Sequence, residues 1–168
     1  TGFVNYLGVT SSAATSSSAT DIYTIQQSIE GYNTADLFWG TVNAKPITIS
    51  FQVYCSTTGT FGGILRNDAG NRSYPFTYTI SSANTWTSVS ITIAGDTTGT
   101  WATTNAAGIS LYFQLQVGSN FTYAANSWNG SNGYGANGCV NLLTSNGAYW
   151  YITGVQLEAG TTATPFEY

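Results

Sequence analysis

The 168-residue chain contains no histidine and no methionine, and its only basic residues are Lys45, Arg66 and Arg72. Without histidine, Ser-His and Cys-His nucleophilic systems are excluded, because no imidazole is present to take the nucleophile's proton. Cys55 and Cys139, the only cysteines, do not make up a Cys/His metal site by themselves. Three cations neutralise few phosphates, so nucleic acid is a poor partner, and the same scarcity argues against anionic membrane surfaces. No apolar run approaches the ~20 residues needed to span a bilayer, so no membrane insertion is expected.

Charge of either sign is scarce. Charged residues are 6% of the chain, against about 25% in ordinary globular proteins. Glycine, serine, threonine, asparagine, tyrosine and tryptophan take their place, which predicts a neutral, hydrogen-bonding surface. The length fits one domain, expected over residues 1–168, and a domain of this size buries roughly 70% of its unfolded surface. Cys55 ends one alternating stretch and Cys139 begins another; they are either two buried free thiols behaving as small hydrophobes or one disulfide closing a long loop.

The hydrophobic pattern has period two. Ile47, Ile49, Phe51, Val53 and Cys55 alternate with Thr48, Ser50, Gln52 and Tyr54. Val89, Ile91 and Ile93 alternate with serine and threonine, and Ile109, Leu111, Phe113, Leu115 and Val117 alternate with Ser110, Tyr112, Gln114 and Gln116. One dry and one wet face per strand predicts an all-β fold, a two-sheet antiparallel sandwich. Weaker strands are expected over 3–9, 22–29, 61–66, 74–80, 139–143 and 150–158, with a hairpin loop at 67–71 and one helical turn at 33–39. Residues 10–20 are low in complexity and read as a surface loop or a linker, the loop being preferred because a strand precedes them. Inside positions are assigned to Ile49, Phe51, Val53, Ile91, Leu111, Phe113, Leu115 and Val155.

Sugar recognition needs apolar ring faces beside amides and hydroxyls. The loop at 126–138 supplies Trp128, Tyr134, Asn129 and Asn132, and Trp101 sits in a second loop rich in threonine and asparagine. Both tryptophans would serve equally as plugs at the ends of a sandwich. Tyr112 and Gln114 on the outward face of the 109–117 strand suit a glycan groove or, just as well, a symmetric subunit contact. Glycoside hydrolysis asks for two carboxylates about 5 to 9.5 Å apart; only Glu30 and Glu158 lie at strand ends, so catalysis is not expected. Asn67, Asp68 and Asn71 offer too few carboxylates for calcium, and the hairpin explains them. No metal or cofactor is expected.

The last stretch, Ile152-Thr153-Gly154-Val155-Gln156-Leu157-Glu158, a break at Ala159-Gly160, then Ala163-Thr164-Pro165-Phe166-Glu167, resembles the C-terminal signature of jelly-roll domains that end bacteriophage tail-fibre and tailspike proteins. Further landmarks follow the same order: Gln27 to Asn33, Asp36 to Thr41, Ile47 to Phe51, Asn71 to Ile80 and Gly95 to Trp101. The resemblance covers the chain from about Asp21 onward. It implies a jelly roll, a virion location at a fibre or tailspike tip, extracellular in action, and placement as the C-terminal module of a longer protein whose other segments lie upstream. It also implies a host-surface polysaccharide or glycan as partner, bound without cleavage, and a homotrimer. A purely structural virion module, or an accessory module of a microbial glycanase, are the alternatives. The resemblance supplies no set of binding residues.

Overall fold

The computed structural model describes residues 2–167; Thr1 and Tyr168, the two ends of the expected domain, lie outside it. The main strands are β1 (Leu7–Thr10), β2 (Ile22–Glu30), β3 (Ile47–Cys55), β4 (Gly59–Arg66), β5 (Ser73–Ile80), β6 (Thr87–Ile93) and β7 (Ala107–Val117). Two short strands follow, β8 (Thr122–Tyr123) and β9 (Gly135–Ala136), and then the long β10 (Tyr149–Ala159). Eight of them form two four-stranded sheets, ordered β1-β10-β3-β6 and β2-β7-β4-β5. Every pairing within these sheets is antiparallel. The alternation of strands between sheets is that of a jelly roll, the expected architecture.

The inward residues of the period-two pattern fill the space between the sheets. Phe51 of β3 meets Phe113 of β7 and Tyr78 of β5 edge-on, each pair at 5.1 Å between ring centres. Trp150 is fully buried, and its indole N–H donates to the Tyr78 hydroxyl at 3.1 Å. That bond satisfies two polar groups that burial would otherwise leave unpaired. Burial also pushes the Tyr78 phenol far above its usual range.

Several expectations need correction. Val155 is 40% exposed, not inside. The β10–β3 register shifts between Thr153 and Gln156, where Gly154 takes φ +58, and this bulge rotates Val155 out of the core. Ile91 is only partly buried, because β6 is an edge strand. Residues 139–143 form no strand: Val140 donates one backbone bond to Thr60, and Leu142–Thr144 is a 3-10 turn. The expected helical turn at 33–39 is two 3-10 turns, Gly31–Asn33 and Ala35–Leu37. Strand β1 starts at Leu7, later than expected.

The outward face of β7 is also not wet. Tyr112 is 6% exposed and Gln114 2%, although Leu111 and Phe113 point inward as the register requires. The chain from Gly118 to Val140 folds back across this sheet. Tyr134 meets Tyr112 edge-on at 5.5 Å, and the Ala136 N–H donates to Gln114 Oε1 at 2.9 Å. The short parallel ladder of β8 and β9 stiffens this cover. Alternation assigns a side chain to a face, but what covers that face is a tertiary matter. Residues 10–20 are a surface loop joining the two sheets, tied down by Ser11 and Thr15 N–H groups donating to Ala148 and Leu143 carbonyls. Cys55 and Cys139 are free thiols, and burial pushes Cys139 up to about 11.

Candidate functional site

The residues singled out from the sequence fall into two groups. Trp128 and Trp101 converge on one end of the sandwich, in a pile with Trp39 and Tyr74. Trp128 lies edge-on to Trp39 at 5.3 Å, to Trp101 at 5.5 Å and to Tyr74 at 5.2 Å. Its indole N–H donates to the Ala94 carbonyl at 2.8 Å, and the Trp101 N–H donates to Asp96 Oδ2 at 3.2 Å. Asp96 is buried and held by Arg72 in a two-pronged bond of 2.7 and 2.6 Å. This is the one salt bridge among the described residues. The pile closes the sandwich end, with a cavity of about 150 Å³ left beside Trp101, Trp39 and Phe38.

The second group lies over the β2-β7-β4-β5 sheet. Arg66 sits against the rings of Tyr112 and Tyr134, at 5.4 and 4.7 Å, and donates to Asn132 Oδ1 at 2.5 Å. Asn129 Oδ1 accepts from the Ser73 hydroxyl and the Ser131 N–H. The rings of Tyr112 and Tyr134 and the amide oxygens of Gln114, Asn129 and Asn132 thus hold the 118–140 cover to the sheet.

The open face belongs to the other sheet. On its outer side, Tyr54 of β3 pairs across the ladder with Tyr151 of β10, and Tyr149 lies two residues before Tyr151. The three rings are nearly parallel, with centres 5.1 to 6.1 Å apart. Tyr6, from the arm before β1, stacks on Tyr151 at 4.9 Å, and Trp86, just before β6, tilts against Tyr54 at 5.4 Å. Gly8 faces Tyr151 across β1; a Cβ there would come within 2.8 Å of that ring, so the glycine leaves room for the ring to lean over the edge strand. Tyr6, Tyr54, Trp86 and Tyr151 wall an open cleft of about 270 Å³. The Tyr149 hydroxyl is fixed by donating to Asn84 Oδ1 at 2.7 Å. Burial, then the neighbouring Tyr54 and Tyr151, raise the Tyr149 phenol, so it stays protonated at neutral pH.

Along β3, Gln52 and Ser50 follow Tyr54 on the same face, opposite Ser88 and Ser90 of β6. They floor a second groove of about 420 Å³. Its wall is made by both arms of the chain: Phe3 before β1, and Ala163, Thr164 and Phe166 after β10. Phe3 and Phe166 meet edge-on at 4.9 Å. Glu158 holds the second arm, accepting from the Thr164 N–H at 3.1 Å and from its hydroxyl at 2.5 Å. These hydrogen bonds from Thr164, then Gln156, keep the Glu158 carboxyl below its usual range.

None of the cations lies on this face. Lys45 sits over Phe38 at 5.0 Å, Arg66 between two tyrosines and Arg72 on Asp96. No group of three or more His, Cys, Asp or Glu residues suited to a metal ion occurs among the described residues. The alternation of Tyr54 with Val53 and Cys55, and of Tyr149 and Tyr151 with Trp150, was the signal for this face in the sequence.

No family model and no curated protein matches this chain. Among solved structures, one described as "CBM4 structure and function" overlays 94% of this chain and 72% of that chain at 14% identity, with a TM-score of 0.49.

Proposed function

We propose that this domain is a non-catalytic glycan-binding module whose binding face is the outer side of the β1-β10-β3-β6 sheet. The observation behind this reading is the cleft walled by Tyr6, Tyr54, Trp86 and Tyr151 on an otherwise open sheet face. Aromatic walls bind the C–H faces of a sugar ring, and the phenol hydroxyls offer hydrogen bonds at the rim. In this reading the module acts at the tip of a phage tail fibre or tailspike, outside the host cell, on a host-surface polysaccharide; the support is the resemblance of the C-terminal strand and tail to that family. A homotrimer belongs to the same reading. Leu7 and Val155 are exposed and, with Ile25 and Ile152, line a cleft of about 400 Å³ on the open side of the sandwich between β1 and β2, an apolar seam for a second copy.

Glycan-array binding of the wild type and of Tyr54→Ala and Trp86→Ala tests the proposal. Each variant should weaken binding by about tenfold or more while melting within a few degrees of the wild type. Unchanged binding in both variants would refute the assignment of this face. If Trp128→Ala alone abolished binding in a fully folded protein, the site would lie at the tryptophan pile instead.

A further inference from the structure

We infer that the aromatic cleft is one half of a longer site: it continues along β3 into the serine- and glutamine-floored groove, and the whole selects a neutral polysaccharide chain over an anionic one. This rests on the glycan-binding reading of the aromatic cleft and adds to it both an extent and a ligand class.

Continuity comes from the strand itself. Tyr54, Gln52 and Ser50 stand on one face at two-residue steps of about 6.7 Å, so a ligand lying on Tyr54 reaches Gln52 without leaving the sheet. The register places Ser88 directly opposite Gln52 and Ser90 opposite Ser50. The side chains of Gln52, Ser50, Ser88 and Ser90 make no hydrogen bond within the described residues. One amide and three hydroxyls, each able to donate and accept, therefore face the groove with their capacity unspent. Polar groups elsewhere on the sandwich show what engagement looks like: Asn67 makes four bonds, three within its hairpin and one to the Thr100 carbonyl, and Thr48 and Thr92 bond each other and the tail.

Selectivity follows from charge. The ionised side chains nearest this groove among the described residues are acidic: Glu158, bonded to Thr164, and Glu167, next to Phe166 with its N–H on Gln156. With Lys45, Arg66 and Arg72 all placed elsewhere, a uronate or sialate carboxylate entering the groove would lose water and find no cation. A neutral chain presents only hydroxyls, which the free amide and hydroxyls can match.

Affinity electrophoresis and calorimetry test the inference, with soluble dextran, galactomannan, xyloglucan and mannan as neutral probes and polygalacturonate and hyaluronate as anionic ones. At least one neutral polymer should retard the wild type, and neither anionic polymer should. With oligosaccharides of the retained polymer, affinity should keep rising with length past the point at which the aromatic cleft is filled. The double variant Gln52→Ala/Ser88→Ala should weaken polymer binding by about tenfold without changing the affinity of the shortest oligosaccharide that binds or the melting temperature. Binding should also persist between about 0.01 M and about 1 M salt, over which the screening length falls from about 30 to about 3 Å. Retention by anionic polymers, by no neutral polymer, or an unchanged double variant overturns the inference. If Tyr54→Ala still weakens binding in that last case, the aromatic cleft survives as the site and only its extension fails.

Discussion

At the residue scale, the two kinds of surface-loop aromatic differ in what their polar atoms do. Trp128 is wedged among three aromatic rings with its N–H bonded to Ala94. Trp128→Ala should therefore lower unfolding stability by about 3 kcal/mol or more, since it leaves a cavity in a pile that closes one end of the sandwich; calorimetric unfolding measures it. Phe51→Ala, in the centre, should cost about 3 to 5 kcal/mol by the same measurement. Tyr54→Ala should leave the melting temperature nearly unchanged. The thiols give a further test. Burial holds Cys139 at about 11 and raises Cys55, so both stay protonated near neutrality, and iodoacetamide should label them slowly in the native protein and fast in denaturant, read by mass spectrometry. The sequence left Trp101 and Trp128 open between sugar stacking and plugging because the deciding partners, the Trp39 ring for both and the Ala94 carbonyl for Trp128, come from distant segments. Tyr54, Tyr149 and Tyr151 were visible as the outward partners of buried neighbours, yet nothing local says that two strands so far apart in sequence align them.

At the element scale, β10 is where sequence and fold diverge most usefully. The alternation from Trp150 to Ile152 holds, then Gly154 breaks it with a positive φ, and the same residue lies under Phe3, whose ring a Cβ would meet at 2.4 Å. Gly154→Ala should therefore destabilise by about 1 kcal/mol or more and displace the first arm, seen as lost contacts of Phe3 in NMR spectra. The tail after β10 depends on an ionised Glu158. A carboxyl held below its ordinary value of 4.5 stabilises the fold above that value, and the contribution is lost as pH falls through the lower folded value. The Thr164 amide should exchange faster as pH drops below the ordinary carboxylate range, once intrinsic exchange is corrected for. Glu158→Gln should remove that pH dependence. Strand positions were legible because period two is written in the chain. The 118–140 cover was not: its glycines and asparagines read as an open loop, and only Tyr134 on Tyr112 and Gln114 on Ala136 reveal a lid on the sheet.

At the scale of the whole molecule, the jelly-roll order joins strands far apart in sequence, β1 with β10 and β2 with β7. Such non-local pairing predicts slow folding, in milliseconds to seconds, measurable by stopped-flow fluorescence of the buried Trp150. With so few charges, little like-charge repulsion opposes self-association. A trimer in sedimentation at high micromolar concentration is the expected outcome if the seam at Leu7, Ile25 and Val155 acts as an intrinsic contact, and Leu7→Glu should then give monomers. A wild type that sediments as a monomer would count against the seam as an intrinsic trimer contact.

The edge-on contact of Phe3 with Phe166 makes the fold nearly a closed ring of chain. A short glycine-serine bridge should therefore join the two ends without distorting either sheet, and the protein should tolerate being reopened elsewhere, for instance in the turn after Asn67, where Asp68 and Ala69 are exposed. Permuted versions of this kind would move a fusion partner from the rim of the proposed binding face to the opposite sheet, so that the domain could be displayed on a particle or surface with its aromatic cleft pointing outward.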